Sequence, residues 1–218
     1  MGVTGTLKSL RRRVVDSVRQ EGGMRFAWRA LVSPVYRAEV LRVRPMRLGV
    51  EPPSPSAGVR LASKEDLPTL VALNPRRSVG EFEKRLAAGD DCLIMLDAGA
   101  PRGYMWASTR QACLNGALVL PLRADEVFSY DMYIHPLYRR RRLRLITWPA
   151  YEERYWPAGV RSALHTATLG RAPWGTTMLG RVGAVRSLQL GPFRRFWVQT
   201  YGPQAEYWRE RLEELRWA

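Results

Sequence analysis

From Val59 onward, short apolar or β-branched runs alternate with capped helical segments, and this alternation limits the chain to few folds. Val59–Ala62 reads as a strand, and Ser63 with Asp66 has the capping-box spacing that opens a helix to about Leu73. Ser78 with Glu81 repeats that signal for a helix ending near Gly89. Cys92–Leu96 and Tyr104–Ser108 flank the turn chemistry of Ala98–Gly103 and predict a β-hairpin. Leu114–Leu122 is apolar without a deciding period. Glu126–Ile134 reads as a strand, Arg139–Trp156 as a helix in spite of Pro149, and Leu164–Leu169 as a strand. A short helix over Pro173–Arg181, strands over Val185–Leu190 and Phe193–Gln199, and a charged helix over Gln204–Arg216 complete the order β-α-α-β-β-β-α-β-α-β. Such an order specifies an α/β (α+β) fold with a mixed sheet flanked by helices.

The first 58 residues break from this pattern. Leu7, Leu10, Val14 and Val18 form one face of a basic helix over residues 6–20, which Gly22-Gly23 ends. Apolar stretches follow to Pro34 and Pro45, and residues 49–58 (GVEPPSPSAG) read as a linker. The expected organisation is a basic helical extension over 1–48, a linker over 49–58 and a domain over 59–218. No apolar run nears the roughly 20 residues of a membrane span. The N-terminus lacks the apolar core of a secretory signal, so a cytoplasmic location is expected.

Charge narrows the choice of partners. The 35 Lys and Arg against 20 Asp and Glu give +15, nearly all of it from Arg. Guanidinium groups match phosphate and carboxylate, so the excess favours a polyanion: nucleic acid, anionic lipid, an acidic carrier protein or a phosphate-rich cofactor. An even spread over the surface is the plain alternative. Two Cys and two His are too few for a disulfide framework or a zinc set, and no metal is expected.

Three segments resemble the GNAT superfamily of N-acyltransferases. Residues 59–67 (VRLASKEDL) resemble its opening strand and capped helix. Residues 130–139 (YDMYIHPLYR) resemble the central strand and the start of the cofactor loop, and residues 172–184 (APWGTTMLGRVGA) resemble the late helix. Together the likeness spans about 59–198. It implies a mostly antiparallel central sheet, acyl-CoA as co-substrate, and transfer of an acyl group to an amine. The chain departs from the family pattern, Arg/Gln-x-x-Gly-x-Gly/Ala after the Pro, because Arg142 and Arg144 occupy both glycine positions. In the family those glycines let backbone N–H groups approach the CoA diphosphate. Ala172, Leu179 and Ala184 also stand where the family often has Asn, its Tyr acid and an aromatic.

Acyl transfer needs an amine deprotonated beside the thioester, donors for the oxyanion, and a proton for the thiolate. The central strand is expected to open just before Pro136. It would then present backbone N–H groups around Met132–Ile134, which makes Met132 and Ile134 donor-binding positions. Simple alternation puts Asp131, Tyr133 and His135 on one face and Tyr130, Met132 and Ile134 on the other. Asp131 is the leading base or amine-orienting candidate, unless it pairs with an arginine. His135 can act directly or through water, or can cap the strand end. Tyr133 can protonate the thiolate or simply pack.

The run Arg139, Arg140, Arg141, Arg142, Leu143, Arg144 is the expected phosphate site, the plain alternative being a solvated face. Trp174 sits where the fold commonly lines the donor channel. Trp148, Tyr151, Tyr155 and Trp156 read as core and rim. The leading expectation is therefore an acyl-CoA-dependent N-acyltransferase acting on a small-molecule amine. One alternative takes its acyl group from acyl-carrier protein or aminoacyl-tRNA. Another is a non-catalytic basic domain that binds nucleic acid or anionic membrane. Residues 6–20 make weak membrane contact at most and are expected to pack on the domain or on a second copy, as a homodimer would.

Overall fold

The computed structural model describes residues 36–46, 58–114, 116–141, 143–168, 181–190, 193–200 and 205–218. Its strands are β1 (Tyr36–Pro45), β2 (Val59–Leu61), β3 (Asp91–Asp97), β4 (Ala100–Ser108), β5 (Gln111–Leu114) and β6 (Leu118–Pro121). They continue with β7 (Glu126–Ile134), β8 (Ser162–Thr168), β9 (Arg181–Leu190), β10 (Phe193–Thr200) and β11 (Arg216–Trp217). The helices are α1 (Leu67–Leu73), α2 (Val79–Ala87), α3 (Leu143–Tyr155) and α4 (Ala205–Glu213), with short 3-10 turns at Lys64–Asp66 and Pro136–Arg141.

Local chemistry accounts for most boundaries. Ser63 and Asp66 form the capping box, and the Ser78 hydroxyl accepts from the Glu81 N–H at 3.2 Å. The β3–β4 hairpin turns on Ala98 and Gly99, with φ of 51° and 77°. Positive φ at both central residues matches the strand twist of a two-residue hairpin.

Eight strands pair in the order β10-β9-β1-β8-β7-β4-β3-β2. Every pairing is antiparallel except β7–β8, so the sheet is mixed and mostly antiparallel. α3 covers one face through Tyr151 and Tyr155, packed on Met95, Met105, Val127 and Ala163. Trp148 and Trp156 rim that cluster, so the aromatic series is core and rim. On the other face, α1 and α2 set Leu67, Leu70 and Phe82 against Ile94, Tyr104 and Trp106. Beside them α4 and a second sheet, β11-β6-β5, close over Leu41, Phe128, Leu164 and Val185. No helix among the described residues is long and apolar enough to cross a membrane.

Two expectations are corrected and one open segment is settled. The extension does not stay helical to residue 48: β1 lies inside the main sheet, with Leu41 fully buried between Thr166 and Gly183 in the pairing register. Its β-branched and aromatic residues suit a pleated surface with both edges paired. The undecided run Leu114–Leu122 holds the end of β5 and all of β6, which pair as a hairpin, and the segment expected to be helical through Arg216 ends in β11. Residues 6–20 and the linker through residue 57 lie outside the described residues.

Candidate functional site

β7 behaves as two strands in one. From Glu126 to Ser129 it runs parallel to β8, with Glu126 opposite Ser162 and Ser129 opposite His165. Beyond that point no ladder joins them among the described residues. β8 continues to Thr168 against β1, while β7 continues to Ile134 against β4. The ladder to β8 ends at Ser129, so among the described residues 130–134 keep β4 as their ladder partner and have none on the β8 side. The sequence expectation was an opening just before Pro136; that ladder ends at Ser129.

A bulge marks the parting. Asp131 has φ 45°, in the left-handed region where Asp is tolerated better than most residues. The register shifts here: Tyr133 pairs with Tyr104 and Tyr130 with Trp106, which leaves Asp131 and Met132 opposite Met105 alone. Simple alternation therefore fails. Tyr130 shares a face with Asp131 and Tyr133, its ring 6.5 Å from Trp106, while Tyr133 stacks on Tyr104 at 5.7 Å. Ile134 packs toward the α3 side.

Both oxygens of Asp131 are taken. Arg77 donates to Oδ1 and Arg85 to Oδ2, each at 2.7 Å. Glu81 joins the same two guanidiniums at 2.8 and 2.7 Å, so Arg77, in the turn before α2, and Glu81 and Arg85, on α2, form an i, i+4, i+8 series. Arg85 also lies 5.2–5.4 Å from the rings of Phe82, Trp106 and Tyr130. The ion pairing weighed for Asp131 at the sequence level is what the structure has.

Below the bulge, the Asn74 side-chain N–H donates to the Tyr104 hydroxyl at 2.7 Å. Burial, partly opposed by that hydrogen bond, pushes the Tyr104 phenol up to about 12, so it keeps its proton at neutral pH. Gly103 permits the close approach of β4 and β7: a Cβ there would meet the Tyr133 carbonyl oxygen at 2.6 Å. The His135 N–H donates to the Arg102 carbonyl at 2.9 Å, and its ring lies 5.9 Å from that of Tyr138. Nearby, Met132 and Leu137 are exposed, Leu137 to 80%.

Arg139, Arg140 and Arg141 lie in the 3-10 turn that follows β7, and Leu143 and Arg144 open α3. The backbone therefore brings the cationic run directly beyond the end of β7. Arg142 and Trp174 lie outside the described residues, as does most of 172–184. Sequence reasoning missed Arg77, Arg85, Asn74, Tyr104 and Arg102, which reach β7 from other elements. Only the Arg77, Glu81, Arg85 spacing carried a signal. Among the described residues no three His, Cys, Asp or Glu side chains gather into a metal-holding group.

No protein-family model and no curated protein matches the sequence. Solved structures similar to the chain include a GCN5-related N-acetyltransferase from Kribbella flavida. It is 14% identical over 85% of this chain and 65% of that one, with a TM-score of 0.45. A tandem GNAT protein from the clavulanic acid biosynthesis pathway is 17% identical over 81% and 58%, with a TM-score of 0.42. A conserved protein of unknown function from Staphylococcus epidermidis is 6% identical over 63% and 53%, with a TM-score of 0.44. The chain spans roughly half to two thirds of these structures' length. What the site can do follows from its own geometry.

Proposed function

We propose that this chain is an N-acyltransferase that moves an acyl group from acyl-CoA to the amine of a small metabolite or biosynthetic intermediate. The parting of β7 from β8 at Ser129 and His165 carries the reading. An open strand edge offers backbone donors and acceptors to an extended amide-bearing arm, as an added strand would. Met132 and Ile134 flank the backbone groups that would hold the arm and polarise the thioester carbonyl; one such donor is worth about 10²–10³ in rate. Arg139–Arg144 would hold the phosphates beyond it.

The amine nitrogen attacks the thioester carbon, and the carbonyl then re-forms as the carbon–sulfur bond breaks. His135 receives the amine proton directly or through water, and Tyr133 protonates the departing thiolate. Asp131, held by two guanidiniums, fixes the bulge that opens the edge and takes no proton in this scheme.

The experiment is amine-dependent release of free thiol from acetyl-CoA and longer acyl-CoAs, with His135→Gln expected to lower turnover about 10²-fold or more. A second reading places the acyl group on a larger polyanion, acyl-carrier protein or aminoacyl-tRNA. The +15 charge and Arg at positions 142 and 144 favour it. Release from those donors alone would replace acyl-CoA, and release from none would leave a non-catalytic domain that binds a polyanion.

A further inference from the structure

We propose that the β9–β10 pair, on the face turned away from α4, is a platform for single-stranded nucleic acid. The two strands hold Arg181, Arg186, Arg194 and Arg195 and no Asp or Glu. Arginines elsewhere on the sheet meet carboxylates, as Arg77 and Arg85 meet Asp131 and Arg211 meets Glu126. β10 ends the eight-stranded order and pairs with β9 alone among the described residues. Its two faces differ. Phe196 and Val198 pack on the cluster around Leu41 and Phe128, and Arg194 lies 5.7 Å from the Trp217 ring on that side. Phe193, Arg195 and Trp197 therefore share the opposite face. Phe193 is 52% and Trp197 40% exposed, and Arg195 between them is exposed and meets no carboxylate among the described residues. Arg186 stands opposite Trp197 in the pairing register and donates to the Gln199 side chain at 3.2 Å, which places it on the same face.

Phe193 and Trp197 lie about 13 Å apart along the strand. Two rings at that spacing, with one guanidinium between them and a second beside the far ring, match a polynucleotide laid along β10. Bases stack on the exposed rings, and Arg195 and Arg186 meet the phosphates between them. Stacking accepts any base, because every base has a π-face, so the surface reads no particular sequence. An acidic protein would use the arginines and leave the rings idle; nucleic acid uses both. A flat strand pair suits a single strand, whose bases can be splayed out, rather than a duplex, whose bases are already stacked. The +15 charge of the chain draws the same ligand from a distance. Four strand spacings, about 19 Å, separate β10 from β7, so the platform is distinct from the open end of β7 and does not rest on the acyltransferase reading.

The test is fluorescence anisotropy of labelled oligouridylate and oligothymidylate, each about ten nucleotides long, titrated with the full chain across a salt series. Phe193→Leu and Trp197→Leu keep apolar bulk on the strand and remove the π-face, while Trp197→Phe keeps a ring. Lys84→Gln, at an exposed position of α2, is the control for net charge. Expected is saturable binding that weakens about fivefold or more in each leucine variant and less in Trp197→Phe, with Lys84→Gln unchanged. Arg195→Gln should lower the salt slope by about 0.7, one phosphate of a single strand. Binding of only one of the two oligonucleotides supports the platform and assigns the sugar. Binding to either leucine variant as tight as to the unaltered chain overturns it, as does an Arg195→Gln slope left unchanged or a chain that binds neither oligonucleotide. Sedimentation with phosphatidylserine vesicles in place of oligonucleotide binding gives the face to a membrane and likewise overturns it. Thiol release is read independently of all these outcomes, so the acyltransferase reading stands or falls on its own assay.

Discussion

The two ends of β7 solve opposite problems with the same chemistry, a carboxylate held by guanidinium groups. At its start Glu126 is 3% exposed and meets the fully buried Arg211 at 2.5 Å. Arg211 also donates to the Pro121 carbonyl and to Glu214, and the Arg123 N–H donates to Glu126 at 2.9 Å. Glu126 pairs with β8, and by Phe128 and Ser129 ladders run on both sides of the strand. At its far end Asp131 also meets arginines, but in a bulge, with one edge of the strand open and with Arg77 one third exposed. The closed end joins α4 to the sheet and serves stability. The open end gives up a ladder and adopts a left-handed φ, a sacrifice that proteins make where the backbone has work to do.

That contrast can be broken in graded steps. Arg211→Ala leaves Glu126 buried without its cation and should cost about 3–5 kcal/mol in denaturant unfolding. Arg211→Met with Glu126→Leu should recover most of that loss, because both charges then leave the interior together. Gly103→Ala forces a Cβ against the Tyr133 carbonyl and should cost about 1–3 kcal/mol, with the damage centred on the open end. Hydrogen exchange should rise at residues 131–135 before it rises at 126–129. Asp131→Asn removes the charge shared by Arg77 and Arg85 and should cost about 1–2 kcal/mol. Thiol release should fall together with loss of the bulge rather than show a new pH profile.

The smallest effect concerns the strand edge at β2. The Arg60 guanidinium holds the Asp66 carboxyl well below the usual carboxylate range. A depressed carboxyl contributes stability above its unfolded pKa, near 4, and that contribution is lost as pH falls below about 4. Arg60 is nearly half exposed, so the effect should stay under about 1 kcal/mol and fade with salt. Arg60→Gln should flatten acid unfolding slightly and leave the β7 site unaffected.

Legibility in the sequence followed the same divide. Capping signals at Ser63 and Ser78, the hairpin over β3 and β4, and β7 itself rest on local chemistry, and local chemistry shows in a single sequence. β1 was hidden because Arg37, Glu39, Arg42 and Arg44 interrupt its apolar residues, and its neighbours in the sheet are more than 100 positions away. The β5–β6 hairpin was readable in principle, since Asn115-Gly116 between apolar runs is a strong turn signal. Asp131, Tyr133 and His135 could be named from the sequence because they follow one another along β7 and the residue after it. Arg77, Arg85 and Arg102 could not, because the fold brings them to β7 from α2, the turn before it, and β4. The bulge that puts Tyr130 beside Asp131 has no mark in a strand that otherwise alternates.

The central claim is that the open end of β7 holds a thioester donor. Calorimetric titration with acetyl-CoA and a long-chain acyl-CoA, at moderate and high salt, tests it most directly. Saturable binding near micromolar that persists in high salt and is weakened by Gly103→Ala is the predicted result. No binding, or binding that vanishes with salt and ignores Gly103→Ala, would contradict it.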